Sequence, residues 1–189
     1  MKLILASSSP RRRELLSKLN YEFEVVPADC DEMTFASAPC DMVKEIALHK
    51  ALNVYKRYPD CCVIGCDTVV DVDGKVLGKP KDAFDAKNML ALLSDRKHKV
   101  HTGVCVMSKA AIYLFVETSE VTFDRLSAER ISEYVATGSP MDKAGAYGIQ
   151  DSGFVKQISG SYNNVMGLPT ERIKDVLRCV MRNAQLRST

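Results

Sequence analysis

Short apolar runs with strand character alternate with amphipathic helical segments along this chain. "LILA" at residues 3–6 is predicted to form a buried strand that leads directly into a helix starting at Pro10. A second helix, capped by Asp41, is predicted to continue to about Tyr58, and "CCVIGC" at residues 61–66 is predicted as the next strand. Because strands and helices are interleaved in this way, the pattern predicts an α/β (mixed) fold, with helices flanking one central mixed, twisted sheet.

The later part of the chain continues the same alternation. "DVDGKV" predicts a hairpin whose Asp-Gly pair supplies the backbone freedom of the turn. A helix capped by Asp82 is predicted, and strands from His98 onward. Further helices are predicted from Ser127, with Tyr134 facing the core, and from Pro169. No linker or internal repeat interrupts the pattern, so residues 1–189 are predicted to form a single domain with two lobes.

Composition and charge exclude several classes of protein. Hydrophobic residues make up 46% and charged residues 26%, which is typical of a globular chain. Because 26 basic residues face 24 acidic ones, the net charge of +2 argues against a nucleic-acid partner. No apolar run has the length of a membrane span or of a signal-peptide core, so we expect a cytoplasmic protein with no membrane partner. The seven cysteines lack paired CxxC spacing and are expected to be reduced thiols.

The stretch "SSSPRRR" at residues 7–13 is unusual for the start of a helix. If Ser9 is the N-cap and Pro10 the first helical residue, three arginines lie in the first turn, at the positive end of the helix dipole. Each arginine then costs about 0.3–1 kcal/mol unless an anion binds there. Free amides, hydroxyls and guanidiniums at one point form a phosphate site; the alternative is a capped surface helix with solvated arginines. The candidate substrate-binding residues here are Ser7, Arg11 and Arg12.

Two lysines are further candidates for binding an anion. Lys50 lies in the middle of the apolar stripe of the second helix, so it either extends to the edge of that stripe or points into an occupied cavity. Lys79 lies in "LGKP" at a predicted strand-to-loop junction, between the flexible Gly78 and the φ-restricted Pro80. This stretch is not a P-loop, because its glycine spacing is one residue short and proline replaces the required Ser or Thr.

Three polar residues complete the candidate site. Asp67 follows an apolar strand, a position that favours a catalytic base or a Mg²⁺ ligand, with a turn-capping role as the alternative. Glu32, in an acidic loop, is either the second oxygen ligand of that ion or an ordinary solvated charge. Gln150 ends the glycine-rich "DKAGAYGIQ", and its amide suits either the edge of a nucleobase or a surface turn.

Taken together, several segments resemble the Maf family of nucleoside-triphosphate pyrophosphatases. The resemblance extends from Leu3 to Pro169 and is carried by "LILASSSPRRRELL", "IALHKA", "GCDTVV", "LGKP", "DKAGAYGIQ" and "GSYNNVMGLP". It implies an enzyme that removes unwanted nucleotides by cleaving the α–β phosphate bond, releasing monophosphate and pyrophosphate with Mg²⁺ or Mn²⁺. It also implies two lobes with a cleft, similar to the inosine-triphosphate pyrophosphatases (the Maf/Ham1 fold), and often a homodimer.

Within the family, this chain resembles the branch that acts on dTTP and UTP. Arg11, Thr68 and Gln150 stand at the positions that mark this branch, whereas the 7-methyl-GTP branch usually has an aromatic residue after Ser-Pro. The resemblance implies that Asp67 is the proton acceptor. Substrates under this reading are dTTP, UTP, CTP or modified pyrimidine nucleotides. The alternative is a non-catalytic nucleotide-binding regulator of cell division, because Maf proteins are also associated with septum inhibition.

The physical reading and the resemblance agree on the mechanism, although Thr68 comes from the resemblance alone. We expect the catalytic residues to be Asp67, Glu32, Lys50 and Lys79, and the metal ligands to be Asp67 and Glu32. The substrate-binding residues are expected to be Ser7, Arg11, Arg12, Thr68 and Gln150. Retention of both carboxylates favours an enzyme over a pure binder, because a binder needs cations but no base.

Overall fold

The computed structural model describes residues 1–186, in which helices flank a central sheet. The strands are β1 (Leu3–Leu5), β2 (Phe23–Val25), β3 (Cys62–Val72), β4 (Lys75–Leu77), β5 (Lys97–Met107), β6 (Ile112–Phe123) and β7 (Val155–Ser159). The α-helices are α1 (Pro10–Ser17), α2 (Pro39–Tyr55), α3 (Ala83–Leu93), α4 (Ala128–Ala136), α5 (Tyr162–Val165) and α6 (Thr170–Leu186). Two short 3₁₀ turns, Ser139–Asp142 and Ala144–Ala146, follow α4.

The sheet contains both parallel and antiparallel strand pairs, which confirms the predicted mixed α/β class. Its strand order is β2-β1-β3-β5-β6-β7, and β4 pairs with β3. β1 is parallel to β2 and to β3, whereas β4 is antiparallel to β3 and β7 is antiparallel to β6. Leu5 lies opposite Ile64, and the amide of Ala6 donates to the carbonyl of Ile64 at 2.8 Å. The chain that leaves β1 therefore starts beside the middle of β3.

The starts of the helices test the capping predictions. Asp82 is an N-cap, as predicted, and its side chain accepts a hydrogen bond from the amide of Asp85. Ser127, predicted as the start of a helix, is the N-cap of α4 and accepts from the amide of Arg130. The prediction that Asp41 caps the second helix is wrong, because α2 begins at Pro39 and Asp41 lies in its first turn, paired with Lys44. Proline's restricted φ is already suited to a first helical position, so this helix starts without a side-chain cap.

By its internal contacts, the chain divides into two compact units. Unit 1 comprises Met1–Asp67, Thr102–Glu117 and the described residues from Gly167 onward; unit 2 comprises Thr68–His101 and Thr118–Met166. In unit 1, apolar residues of α2 pack against β1, β3 and β5. In unit 2, the core contains Leu90 and Leu93 of α3 together with a group of aromatic rings: Phe123, Tyr134, Tyr147 and Phe154.

Two strand glycines allow α2 to lie directly on the sheet in unit 1. A Cβ atom on Gly65 would be 2.4 Å from the carbonyl oxygen of Ala47, and one on Gly103 would be 2.2 Å from that of Val43. Real Cβ atoms do not approach backbone this closely, so only glycine fits at either position. The predicted apolar stripe of α2 is buried as expected, and it contains Val43, Ile46, Ala47, Ala51 and Val54.

Two expectations drawn from composition can be compared with the structure. Across residues 1–186, no helix is both long and apolar enough to traverse a lipid bilayer. All seven cysteines fall in the described part of the chain, and they are free thiols, as expected. Burial raises the pKa of the Cys62 and Cys105 thiols to about 12, so these side chains are protonated, apolar members of the core.

A buried histidine in unit 2 makes stability depend on pH. His98 is 2% exposed, its Nε2 lies 2.9 Å from the hydroxyl of Tyr147, and its ring packs edge-on against Phe123. Burial lowers the pKa of His98 to about 4, whereas a histidine in an unfolded chain titrates near 6.5. Below pH ~6.5 the unfolded chain therefore binds a proton that the folded protein does not.

We expect the stability contributed by neutral His98 to be complete above pH ~6.5. It should be lost progressively as the pH falls towards ~4, by about 3 kcal/mol in all. Urea unfolding between pH 7 and 4.5 measures this loss, and the matched variant is His98→Gln, which does not titrate. The variant should lose stability less steeply than the wild type over this range. Equal slopes for the two proteins would contradict the assignment.

Candidate active site

The first turn of α1 forms one side of the candidate site, in unit 1. Ser9 is the N-cap, and its Oγ accepts a hydrogen bond from the amide of Arg12 at 3.4 Å, while Pro10 is the first helical residue, as predicted. Ser7 is buried, and its Oγ accepts from the amide of Ser9 at 3.2 Å. Arg11 lies in the same turn and is partly exposed. Hydroxyls, helix amides and guanidiniums thus occur together at this helix end.

Arg12 differs from its neighbours because its side chain connects three segments of unit 1. Nε donates to the carbonyl of Gly167 at 2.8 Å, and Nη1 donates to the carbonyl of Cys66 at 2.8 Å. Nη1 also donates to the Oγ of Ser7 at 3.4 Å. The guanidinium therefore holds the start of α1 beside β3, one residue before Asp67, and beside the segment that precedes α6.

Lys50 of α2 connects the two carboxylates that the sequence analysis singled out. Its Nζ lies 2.8 Å from Oδ1 of Asp67 on β3 and 2.6 Å from Oε1 of Glu32 in the loop before α2. The side chains of Lys50 and Asp67 are only 12% and 11% exposed, whereas that of Glu32 is 53% exposed. The sequence left two orientations open for Lys50: at the edge of the apolar stripe, or directed inward. In the structure its side chain is directed inward, towards the carboxylates of Asp67 and Glu32.

The charges in this cluster do not cancel. One ammonium group faces two carboxylates, so the Lys50, Asp67 and Glu32 cluster has a net charge of −1. Carboxylate oxygens that meet at a cation are the donors that Mg²⁺ and Mn²⁺ prefer, so these two residues fit a divalent ion. Within residues 1–186, no three His, Cys, Asp or Glu side chains are grouped to hold a metal. An ion here would therefore need further oxygen ligands from phosphate or water.

The thiols next to this cluster are not nucleophiles. Burial raises the pKa of Cys66 to about 11, although the cations of Arg12 and Lys50 act in the opposite direction. Burial also raises the pKa of Cys30, with Lys50 opposing the shift and Glu32 adding to it. Both thiols are therefore protonated near neutral pH, and the carboxylates remain as the groups able to accept a proton.

The remaining predicted residues belong to unit 2. Thr68 follows Asp67 on β3 and is partly buried, whereas Lys79 and Gln150 are exposed on loops. Gly78, next to Lys79, contacts the 3₁₀ turn that precedes the loop of Gln150, because the amide of Gly145 donates to the carbonyl of Gly78 at 3.0 Å. Gly145 has a φ of +67°, and a Cβ there would lie 2.8 Å from a methyl group of Val70, so glycine is required for this approach.

A groove of about 490 Å³ runs along the first turns of α1. It is lined by the serines at residues 7–9 and by Arg13 and Glu14, but Lys50 and Asp67 do not line it. Glu14 introduces a carboxylate, which disfavours an anion at that end of the groove. The cluster of Lys50, Asp67 and Glu32 is therefore a separate feature from this groove.

Comparison with known proteins identifies the family. The family model described as "Maf-like protein" matches residues 2–180. The chain belongs to the Maf family. Relatives named dTTP/UTP pyrophosphatase include that of Bacillus cytotoxicus, which is 50% identical over 175 residues, 91% of this chain and 92% of the relative. The one from Aquifex aeolicus is 44% identical over 180 residues, 94% of this chain and 95% of the relative.

The fold of this Maf protein also has a solved counterpart. The structure of the Staphylococcus aureus Ham1 protein superposes with a TM-score of 0.56, covering 94% of this chain and 98% of the other, at 15% identity. At this low identity the likeness concerns the fold alone. It agrees with the sequence-based expectation of a Maf/Ham1 architecture built on a mixed sheet.

Some residues that shape the site of this Maf protein were not singled out from its sequence. Gly65 sets how closely α2, and with it Lys50, approaches β3. A glycine inside the apolar run "CCVIGC" was the available signal for such a close approach. In unit 2, Tyr134 was interpreted only as a core residue, yet its hydroxyl bonds to Asp151, next to Gln150. No pattern in the sequence indicates that pairing.

Proposed function

We propose that this Maf protein hydrolyses dTTP and UTP to the nucleoside monophosphate and pyrophosphate. The observation that carries the proposal is sequence similarity. A relative named dTTP/UTP pyrophosphatase is 50% identical to this protein over 91% of this chain and 92% of the relative. The cluster of Lys50, Asp67 and Glu32 beside the cationic end of α1 supports it, because phosphoryl transfer needs a base and a set of cations in one place. Following the family resemblance, we further propose a cytoplasmic homodimer.

In the proposed mechanism, Asp67 accepts the proton of the attacking water. Lys50 donates to Oδ1 of Asp67, which orients the carboxylate. The first turn of α1, with Ser7, Arg11 and its backbone amides, binds phosphate oxygens of the substrate. Arg12, with its bonds to Cys66 and Gly167, combines phosphate binding with holding α1 in position.

A divalent metal ion is proposed as the cofactor, with Asp67 and Glu32 as its protein ligands. When bound, Mg²⁺ or Mn²⁺ would neutralise negative charge on the triphosphate as the α–β bond is cleaved. The net negative charge of the Lys50, Asp67 and Glu32 cluster supports this choice, because it attracts a cation even with Lys50 in place. The side chain of Glu32 is exposed, so it can reorient to coordinate such an ion.

Residues of unit 2 are proposed to recognise the rest of the nucleotide. The amide of Gln150 both donates and accepts, which matches the adjacent carbonyl and N–H groups on the edge of thymine or uracil. Thr68 contributes a hydroxyl immediately after the catalytic carboxylate. Lys79 is proposed as a further cation for the triphosphate, on the basis of its position in "LGKP".

The reaction is tested by incubating the protein with each nucleoside triphosphate and separating the products by ion-exchange chromatography. Monophosphate and pyrophosphate from dTTP and UTP are expected with Mg²⁺ or Mn²⁺, and loss of turnover is expected with EDTA. Diphosphate and inorganic phosphate as products would contradict the proposed bond cleavage. Bound nucleotide without turnover would favour the regulator of cell division instead.

Lys79 and Lys81 form a matched pair for testing the triphosphate cations. Both are exposed lysines and they flank Pro80. Lys79→Ala should lower kcat/KM for dTTP by roughly 10- to 100-fold, the effect of losing a charge-assisted hydrogen bond. Lys81→Ala should change it less than about twofold, since a lone surface charge contributes little. Steady-state kinetics of the two variants measure the difference, and equal effects would contradict a specific role for Lys79.

A further inference from the structure

A polar network in unit 2 surrounds the turn that carries Gln150. Residues 148–151 form this turn, closed by hydrogen bonds from the amides of Asp151 and Ser152 to the carbonyl of Gly148 at 3.4 and 3.1 Å. Gln150 projects from the turn and is exposed. Gly148 and Asp151, by contrast, are hydrogen-bonded to side chains from outside the turn.

Tyr134 of α4 contacts both ends of this turn. Its hydroxyl donates to Oδ1 of Asp151 at 2.8 Å and accepts from the amide of Gly148 at 3.0 Å. The ring is 8% exposed and packs edge-on against Phe154 at a centroid distance of 4.9 Å. Burial raises the pKa of Tyr134 to about 12, so the hydroxyl keeps its proton and remains a donor at neutral pH. One fixed hydroxyl thus sets the positions of residues 148 and 151.

The other oxygen of Asp151 is held as well. Oδ2 accepts from the hydroxyl of Ser139 and lies 3.8 Å from Nζ of Lys143. Lys143 in turn donates to the carbonyl of Ser139 at 2.6 Å. A Cβ on Gly148 would be 2.3 Å from Oδ1 of Asp151, so glycine at this position is what lets the carboxylate reach Tyr134. Tyr134, Ser139 and Lys143 therefore contact the turn, while the side chain of Gln150 remains exposed.

We propose that Tyr134, acting through Asp151 and Gly148, is the positioning residue for Gln150 and thereby determines how well the enzyme discriminates among nucleobases. This inference rests on the proposed function, in which Gln150 binds the base edge. A hydrogen-bonding side chain discriminates only if its donor and acceptor are fixed relative to the ligand. On a turn free to move, the same amide would adapt to several bases, and selectivity would fall.

Tyr134→Phe removes the hydroxyl and retains the ring. We expect it to raise KM for dTTP about tenfold, because one positioned hydrogen bond is lost. The kcat at saturation should stay within about twofold of the wild type. The ratio of kcat/KM for dTTP to that for ATP should fall by a similar factor. Tyr113→Phe, on a half-buried tyrosine of β6, is the matched control and should leave both quantities unchanged. Asp151→Ala removes the acceptor of the Tyr134 hydroxyl at an exposed position and should cause the same loss of discrimination.

A double-mutant cycle with Gln150→Ala separates positioning from general stability. If Tyr134 acts through Gln150, Tyr134→Phe should produce no further loss of discrimination once Gln150 is alanine. Unchanged discrimination in Tyr134→Phe, or an equal loss for every nucleotide together with a lower Tm, would overturn the inference. Unchanged discrimination in Gln150→Ala would overturn it too. A wild-type protein without turnover would instead overturn the proposed function itself.

Discussion

Asp67→Asn should lower kcat for dTTP on the order of a thousandfold with little change in thermal stability. General-base catalysis contributes roughly 10²- to 10⁴-fold, and an amide cannot accept the proton of the attacking water. Asparagine keeps an oxygen that can accept from Nζ of Lys50, now 2.8 Å from the carboxylate, so the fold should persist. Steady-state kinetics measured together with Tm will distinguish lost chemistry from lost structure.

A matched substitution on the same hairpin provides the control. Asp73 is exposed in the β3–β4 turn with a φ of +52°, a conformation that asparagine adopts readily, so Asp73→Asn should retain wild-type kcat. Turnover at the wild-type level in Asp67→Asn would refute the assignment of the base. A large, equal loss in both variants would show that the effect does not originate at Asp67.

Gly65→Ala should both destabilise the protein and lower its activity. The new Cβ would be placed 2.4 Å from the carbonyl oxygen of Ala47 and 2.6 Å from the amide of Ala51, and helix backbone cannot yield as a flexible side chain would. Overpacking of this kind costs about 1–3 kcal/mol. Because α2 also carries Lys50, moving the helix away from β3 should lengthen the contact between Lys50 and Asp67 and reduce kcat at least tenfold.

Urea unfolding and kcat of Gly65→Ala test both parts of this expectation. Gly78→Ala is the control for stability, because a Cβ there would have no atom within 4 Å and φ is not positive. That variant should be neutral or slightly stabilised, since alanine restricts the unfolded chain. If Gly65→Ala and Gly78→Ala have the same unfolding free energy, α2 does not contact the sheet through Gly65.

Some candidate residues could be foreseen from local sequence, and others could not. The role of "SSSPRRR" at a helix start follows from local rules of capping and of the helix dipole, so Ser9 and Pro10 occupy the predicted positions. The partners of Arg12 are different, because Cys66 and Gly167 lie 54 and 155 residues away along the chain. Side-chain chemistry indicates that an arginine will bind oxygen, but only the path of the chain determines which oxygen.

The same division applies to the boundaries of elements. Apolar periodicity identified the buried stripe of α2 in full, because burial and a period of 3.6 residues are properties of the sequence itself. The predicted cap of the same helix, Asp41, lies three residues after the observed N-cap, Ala38, because Pro39 is itself a favourable first helical residue. Residue type alone does not rank two such local start signals.

By itself, the sequence of this Maf protein determined the fold class, the apolar stripe of α2 and the set of charged residues available for chemistry. These depend on local periodicity and on residue type. Only the tertiary structure decided that Lys50 lies between Asp67 and Glu32, and that Tyr134 holds the turn beneath Gln150. The physical reason is that both arrangements require close packing between segments distant in sequence, and the distances at which charges and hydroxyls meet are set by that packing.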